Sequence, residues 1–235
     1  FAIGTYFTSS AIFLYFGMIP DFASLKHHTT GWRKKLYTFL SLGWRGTDAQ
    51  WKAQGRATMF FSTFIMPLVV SVHSIVSWDF ALSLVPGYSQ TVFAPYFVTG
   101  ALLSGFAGVM VMVTVLRWVF PFVKKYITEY HYDKVGSFIL LLSLVWSYLT
   151  GMEVFTGLYA DTSLEIEHLK HKTLTPPYLQ LFFFMIFCNT ALPLTLLFRK
   201  VRRCAVTMFI LCIFVLAGMW LERYLIIPNA LSRKF

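Results

Sequence analysis

Charge is scarce in this chain. Asp, Glu, Lys and Arg make up 13% of its 235 residues, with ten acids against twenty bases. A soluble domain of this length needs far more charge to cover its surface, so a water-soluble globule is excluded. Cysteine is scarce too. Cys188, Cys204 and Cys212 form no CxxC pair, so no cysteine-held iron–sulfur cluster or structural zinc site is encoded, and no metal site is expected. A charged leader is also lacking. The chain opens at Phe1 with an apolar run under way by residue 2, which leads us to expect no signal peptide and a further N-terminal part ahead of it. The net charge of +10 invites a nucleic-acid reading, but the bases lie in short loops between apolar runs and line no amphipathic face.

What is abundant is apolar. Hydrophobic residues make up 57% of the chain and aromatic ones 19%, and mean hydropathy is +0.64. Six windows are long enough for a bilayer, which takes about 20 helical residues: 2–20, 58–84, 92–116, 136–159, 177–198 and 204–226. They are apolar all round, unlike the alternating strands of a membrane barrel. The fold class read from this is all-α integral membrane, one membrane domain over 1–235 with about six transmembrane helices.

The loops give orientation. Residues 21–57, the segment joining spans three and four, and the segment joining spans five and six carry fifteen of the twenty Lys and Arg residues. Positive loops stay cytoplasmic, so both ends of the chain are expected on the outer side. In the first loop, WRKKLYTFLSLGWRG mixes aromatic and basic residues and reads as an interfacial helix on the inner leaflet. Gly100, Ser104 and Gly108 recur every four residues in span three, a close-packing stripe. Pro67 and Pro193 fall within spans, where proline kinks a helix.

Four ionisable groups fall inside the windows: His73, Asp79, Glu153 and Glu222; Asp21 closes the first. Each costs about 2.5–3.5 kcal/mol at mid-bilayer on insertion scales, and such residues usually mark a site or a pathway. The expected topology puts the first four in the outer halves of three helices and Asp21 at the inner face. His73 and Asp79 are about 9 Å apart in rise and about 120° apart in direction on an ideal helix. They do not share a face but can flank one cavity, with Ser77 a turn above His73. The plainer alternatives are a His73 bond to a backbone carbonyl, an Asp79 reaching headgroup water, and a Glu222–Arg223 ion pair at the interface. Glu153 has no adjacent base, so a buried, protonated carboxyl is expected there.

Two axial histidines are not available within the spans, because His27, His28, His131, His168 and His171 fall in loops. No haem is therefore expected to be held by this chain alone. Proton acceptors, aromatic walls and an apolar pocket remain, which are the needs of a quinol site. A proton path is the other use.

SVHSIVSWDFALSLVPGY (71–88) and TVFAPYFVTGALLSGFAGV (91–109) resemble the NrfD/PsrC-like integral membrane subunits. So do FGMIPDFA (16–23), LGWRGTDAQW (42–51) and GMWLERYLIIPNALSRKF (218–235). The likeness is greatest to the ActC branch, the quinol-interacting subunit type of bacterial alternative complex III. It implies two four-helix bundles plus peripheral helices, of which this chain resembles the C-terminal one with flanking spans. It also implies a quinol site, for menaquinone or ubiquinone, near the outer face of the bacterial inner (cytoplasmic) membrane. Electrons would pass to an extrinsic iron–sulfur subunit and on to a multihaem c-type cytochrome subunit, beside a homologous membrane subunit, in a respiratory or photosynthetic chain. His73 and Asp79 match the family's His and Asp, with Ser77 and Trp78 completing the candidate quinol-binding set. Asp21 matches the acid of the family's IPD segment, and Glu222 and Arg223 its Glu-Arg pair. With Glu153, these three form the candidate proton path. Two departures stand out: PGYS (Tyr88, Ser89) where the family reads PGWH, and a NALSRKF tail in place of one ending in histidine. A proton-conducting paralogue without quinol and a purely anchoring subunit are the competing functions.

Overall fold

In the computed structural model, residues 2–82, 92–159, 163–176 and 178–231 are described. The PGYS departure and the last four residues of the tail lie outside them. Every long element is a helix: α1 (Ala2–His28), α2 (Gly31–Leu40), α3 (Asp48–Ala81), α4 (Phe93–Val119), α5 (Glu129–Tyr159), α6 (Ser163–Leu174), α7 (Tyr178–Ile186), α8 (Leu192–Leu194), α9 (Arg199–Arg203) and α10 (Ala205–Leu231). A π turn, Phe187–Ala191, and a 3-10 turn, Thr195–Leu197, complete the span that begins with α7, and a second 3-10 turn, Pro121–Lys125, follows α4.

Among the described residues, five segments are long and apolar enough to cross a membrane: Asp48–Ala81, Phe93–Val119, Glu129–Tyr159, Tyr178–Leu197 and Ala205–Ile227. The remaining expected span falls on α1. At 27 residues it is long enough, but Thr5, Thr8, Ser9 and Ser10 dilute its apolar character. The expected loop 21–57 is largely helical: α1 continues to His28, α2 forms where an interfacial helix was expected, and α3 begins at Asp48. The fourth loop likewise contains α6. α3 passes through Pro67 as one unbroken element.

The contacts divide the chain into two compact units, 1–76 and 77–235. In the first, α1 and α2 pack through Tyr15, whose hydroxyl donates to Leu40 O at 2.8 Å, and through a stacked Phe22–Tyr37 pair. Gln54 Nε2 donates to Phe16 O, and the Phe16 and Phe61 rings meet at 5.2 Å.

The second unit is a four-helix bundle of α4, α5, the α7–π span and α10 around Leu103, Ala107, Met110, Ile139, Trp146, Met185, Met208, Cys212 and Val215. The α4 residues facing this core are Phe93, Tyr96, Gly100, Leu103, Ala107, Met110 and Thr114, with Thr99 beside them; the seven alternate steps of three and four as left-handed helix packing requires. That seam corrects the small-residue stripe. A Cβ on Gly100 would meet Met219 Cε at 2.8 Å, whereas one on Gly108 would meet nothing within 4 Å. The every-fourth-residue stripe drifts off the seam after one step, because contact follows a 3.5-residue repeat.

The α7 span shows how the bundle handles proline. Pro193 has no N–H, so the carbonyl four residues back, on Asn189, loses its usual partner. The ladder shifts to a π turn, with Leu192 N–H donating to Phe187 O. The freed Asn189 carbonyl accepts the hydroxyl of Ser143 from α5, and Ser147 and Thr190 hydroxyls pair at 2.7 Å beside it. In an apolar medium such replacement is obligatory. Gly218 of α10 makes room for the turn, since a Cβ there would lie 2.8 Å from Cys188 Cβ and closer still to Asn189 Oδ1.

At one end of the bundle Asp133 gathers loop-five arginines. Arg202 Nε lies 2.8 Å from Oδ1, Arg199 Nε 3.2 Å and Arg203 Nε 3.8 Å from Oδ2. Arg202 also donates to Leu196 O at 2.8 Å, and its stem passes Gly136, where a Cβ would meet it at 3.3 Å. The basic cluster thus clamps α9 onto α5 as well as setting charge.

Gly218→Ala is expected to destabilise the chain by about 1–3 kcal/mol, the cost of overpacking. Gly108→Ala should be neutral or stabilising by up to about 1 kcal/mol, from helix propensity alone. Thermal melts in detergent compare the two. Cys204 is exposed while Cys188 and Cys212 are buried, and hydrogen bonds from the Thr207 side chain and backbone hold its thiol below the ordinary value. A membrane-impermeant maleimide should therefore label Cys204 alone at neutral pH. By the charge of its loop, labelling should occur in inverted vesicles and not in intact cells.

Candidate functional site

The apolar C-terminal half of α3 carries the first candidate residues. His73 is half-buried. Its Nδ1 lies 2.8 Å from Val69 O one turn back, and its ring meets Tyr6 of α1 edge-on at 6.1 Å. A carbonyl only accepts, so Nδ1 carries the proton in that bond. The backbone bond foreseen as an alternative for His73 is thus present. Ser77 is fully buried, while Trp78 is 55% exposed and Asp79 is exposed. The break between the two compact units falls at Ser77, so His73 belongs to the first and Ser77, Trp78 and Asp79 to the second. Asp21, beside Pro20 in α1, is exposed and lies in the first unit.

The second unit brings the other candidates into one polar nest. Glu222 of α10 is 1% exposed. Its Oε1 accepts the Trp146 indole N–H of α5 at 2.9 Å, and its Oε2 is 3.8 Å from Arg223 Nη2. The Glu222–Arg223 contact named among the plainer alternatives is present, with the carboxylate buried in the bundle and anchored across it by a tryptophan. Arg223 turns its guanidinium onto the Phe97 ring, 3.9 Å from the centroid, and Nη2 also reaches Phe97 O at 3.4 Å. Gly100 permits this approach, since a Cβ there would sit 3.1 Å from Arg223 Nη2 and 3.3 Å from Glu222 Oε2. Tyr96 of α4 stacks on Trp146 at 5.9 Å and lies within electrostatic reach of Glu222, Glu153 and Arg223.

Glu153 departs from the expectation. It is not isolated: Lys172 Nζ lies 2.8 Å from Oε1, with the lysine 4% and the glutamate 15% exposed. The base comes from α6, nineteen residues on, which folds back against α5. Lys172 also sits over the Phe182 ring at 5.8 Å. Two carboxylates, Glu153 and Glu222, thus face two cations, Lys172 and Arg223, around one phenol. Among the described residues, Glu153 Oε2, Glu222 Oε2, the Tyr96 hydroxyl and Arg223 Nη1 are buried without a hydrogen-bond partner. Each such group costs about 1–3 kcal/mol, more when charged. Stability therefore does not account for their retention.

Lys172, Tyr96 and Trp146 were not foreseen as site residues. Lys172 lies in the segment between the fourth and fifth windows. The available signal was a basic residue in a short segment between spans, within reach of an intramembrane acid. Tyr96 and Trp146 had no distinguishing signal among twelve tyrosines and seven tryptophans. Among the described residues no group of three His, Cys, Asp or Glu is placed to hold a metal ion.

No curated protein matches the chain. The family model described as polysulphide reductase, NrfD, matches residues 1–233. Subunits of this family are membrane components of quinone-interacting oxidoreductase complexes and associate with iron–sulfur and other subunits. With its all-helical, multi-pass fold, the chain belongs to the NrfD family.

Proposed function

We propose that this chain is the quinol-oxidising membrane subunit of an electron-transfer complex of the alternative complex III type, as in the ActC branch. The observation that carries the reading is Asp79: an exposed carboxylate on an apolar helix, open to what approaches from outside the chain. Oxidising one quinol releases two electrons and two protons. Asp79 accepts one proton as general base, His73 holds the other quinol oxygen, and the second proton leaves to water at the outer face. Each role rests on that residue's own surroundings. Ser77 and Trp78 complete the quinol-binding set. The electrons leave to an extrinsic iron–sulfur subunit and then to a multihaem c-type cytochrome, with a homologous membrane subunit alongside. The quinol is menaquinone or ubiquinone, and the membrane is the bacterial inner membrane, with both ends of the chain outside.

The nest of Glu153, Glu222, Tyr96 and Arg223 favours a second role, proton conduction, alongside the first. Its orphaned oxygens lie on α4, α5 and α10, the arrangement a proton relay uses. Asp21 is the inner-face acid of such a path by the charge of the loop it opens.

Asp79→Asn in the assembled complex should lower quinol:acceptor turnover at least ten-fold while the complex still assembles. Undiminished turnover would sink the assignment to Asp79. Glu222→Gln keeps an acceptor for the Trp146 indole but removes the titratable oxygen. It should leave turnover within about two-fold while reducing the protons taken up per electron. Unchanged proton stoichiometry would remove Glu222 from any path.

A further inference from the structure

At the Asp133 end of the second unit, away from every residue assigned above, lies an open cavity of about 380 Å³ lined by Arg117, Trp118, Lys124, Glu129, Arg203 and Cys204. It forms where three connections meet: the end of α4, the 3-10 turn leading to α5, and the α9–α10 junction. We propose that this cavity holds the phosphate headgroup of an anionic diacyl phospholipid.

The charge balance is the first support. The lining carries three bases and one acid. The surrounding segments, 117–134 and 199–204, hold eight bases against two acids. Asp133 engages Arg199 and Arg202 closely and Arg203 only at 3.8 Å. Arg117 and Lys124 have no carboxylate within 4.0 Å among the described residues. The cavity therefore presents uncompensated cations, and one phosphate there meets charge-assisted donors from two guanidinium groups and an ammonium. Arg117 is held in place, 5.3 Å over the Tyr132 ring, whose hydroxyl bonds Thr114 at 2.9 Å. A partly fixed guanidinium loses less entropy when it binds.

The second support is apolar. Beside the cavity, Trp118 (46%), Val119 (61%), Phe120 (45%), Phe122 (69%) and Val206 (53%) are exposed. Trp118 packs on Phe209 at 4.9 Å, the placement of an interfacial tryptophan. A free anion gains nothing from this collar, whereas acyl chains lie along it. Basic pockets between spans bind anionic headgroups by this combination. Glu129 faces the same cavity as an acceptor for headgroup hydroxyls, which selects a polyol headgroup such as that of phosphatidylglycerol.

The test uses the purified complex in nanodiscs that contain phosphatidylglycerol and phosphatidylcholine in equal amounts. Native mass spectrometry reads the lipid retained with this chain. The wild type should retain phosphatidylglycerol in at least five-fold preference. Lys124→Gln/Arg203→Gln should abolish that preference, while Lys125→Gln, an adjacent base outside the lining, should keep it. Equal retention of the two lipids by the wild type would overturn the proposal, as would an undiminished preference in the double variant. Inorganic phosphate in lipid-free detergent is the other arm. Phosphate-dependent thermal stabilisation lost in the double variant would assign the cavity to free phosphate and overturn the lipid reading.

Discussion

A charge carried into an apolar bundle must be matched there, because no water is available to screen it. Three acids of the second unit obey this rule, each with a base from another segment or the next residue: Asp133 with Arg202, Glu153 with Lys172, Glu222 with Arg223. Each match fixes a piece of architecture. The first clamps α9 to α5, and the second folds α6 back over α5. In the third, the tryptophan that shares Glu222 ties α10 to α5. Removing one partner from such a pair costs about 3–5 kcal/mol, while replacing the whole pair by apolar residues is often neutral or better. Stability alone therefore does not explain why the pairs are kept.

The same demand for satisfaction shapes the backbone. Pro193 removes one donor, and the span answers with a π turn, a serine hydroxyl from α5 and a glycine on α10 that leaves space. Such turns inside helices often lie at functional places. This one sits among the bundle helices that carry the polar nest.

The two families of candidate residues stand in contrasting surroundings. Asp79 and Trp78 at the end of α3 are exposed, whereas Glu222, Lys172 and Tyr96 are sealed inside the bundle. An exposed acid suits exchange with a ligand or partner arriving from outside. Sealed acids suit transfer between fixed groups. That contrast supports giving the two sets different tasks rather than one shared pocket.

Much of the fold was legible in the chain itself. Apolar run length placed Phe93–Val119, Tyr178–Leu197 and Ala205–Ile227 within a few residues, while α1, α3 and α5 run well past their apolar windows into polar sequence. The placement of bases gave an expected topology, and one block of sequence gave the family. The sequence also marked Glu153 and Glu222 as out of place. It could not show what they meet, because the base that neutralises Glu153 and the indole that holds Glu222 come from distant segments. The stripe of small residues on α4 misled for a related reason: its period was right for a helix, but the contact seam is chosen by the neighbouring helices. Element type follows from local apolarity and was decided by the sequence. Which charges are paired, and which glycines are crowded, depend on the approach of helices far apart in the chain, and only the tertiary structure decided them.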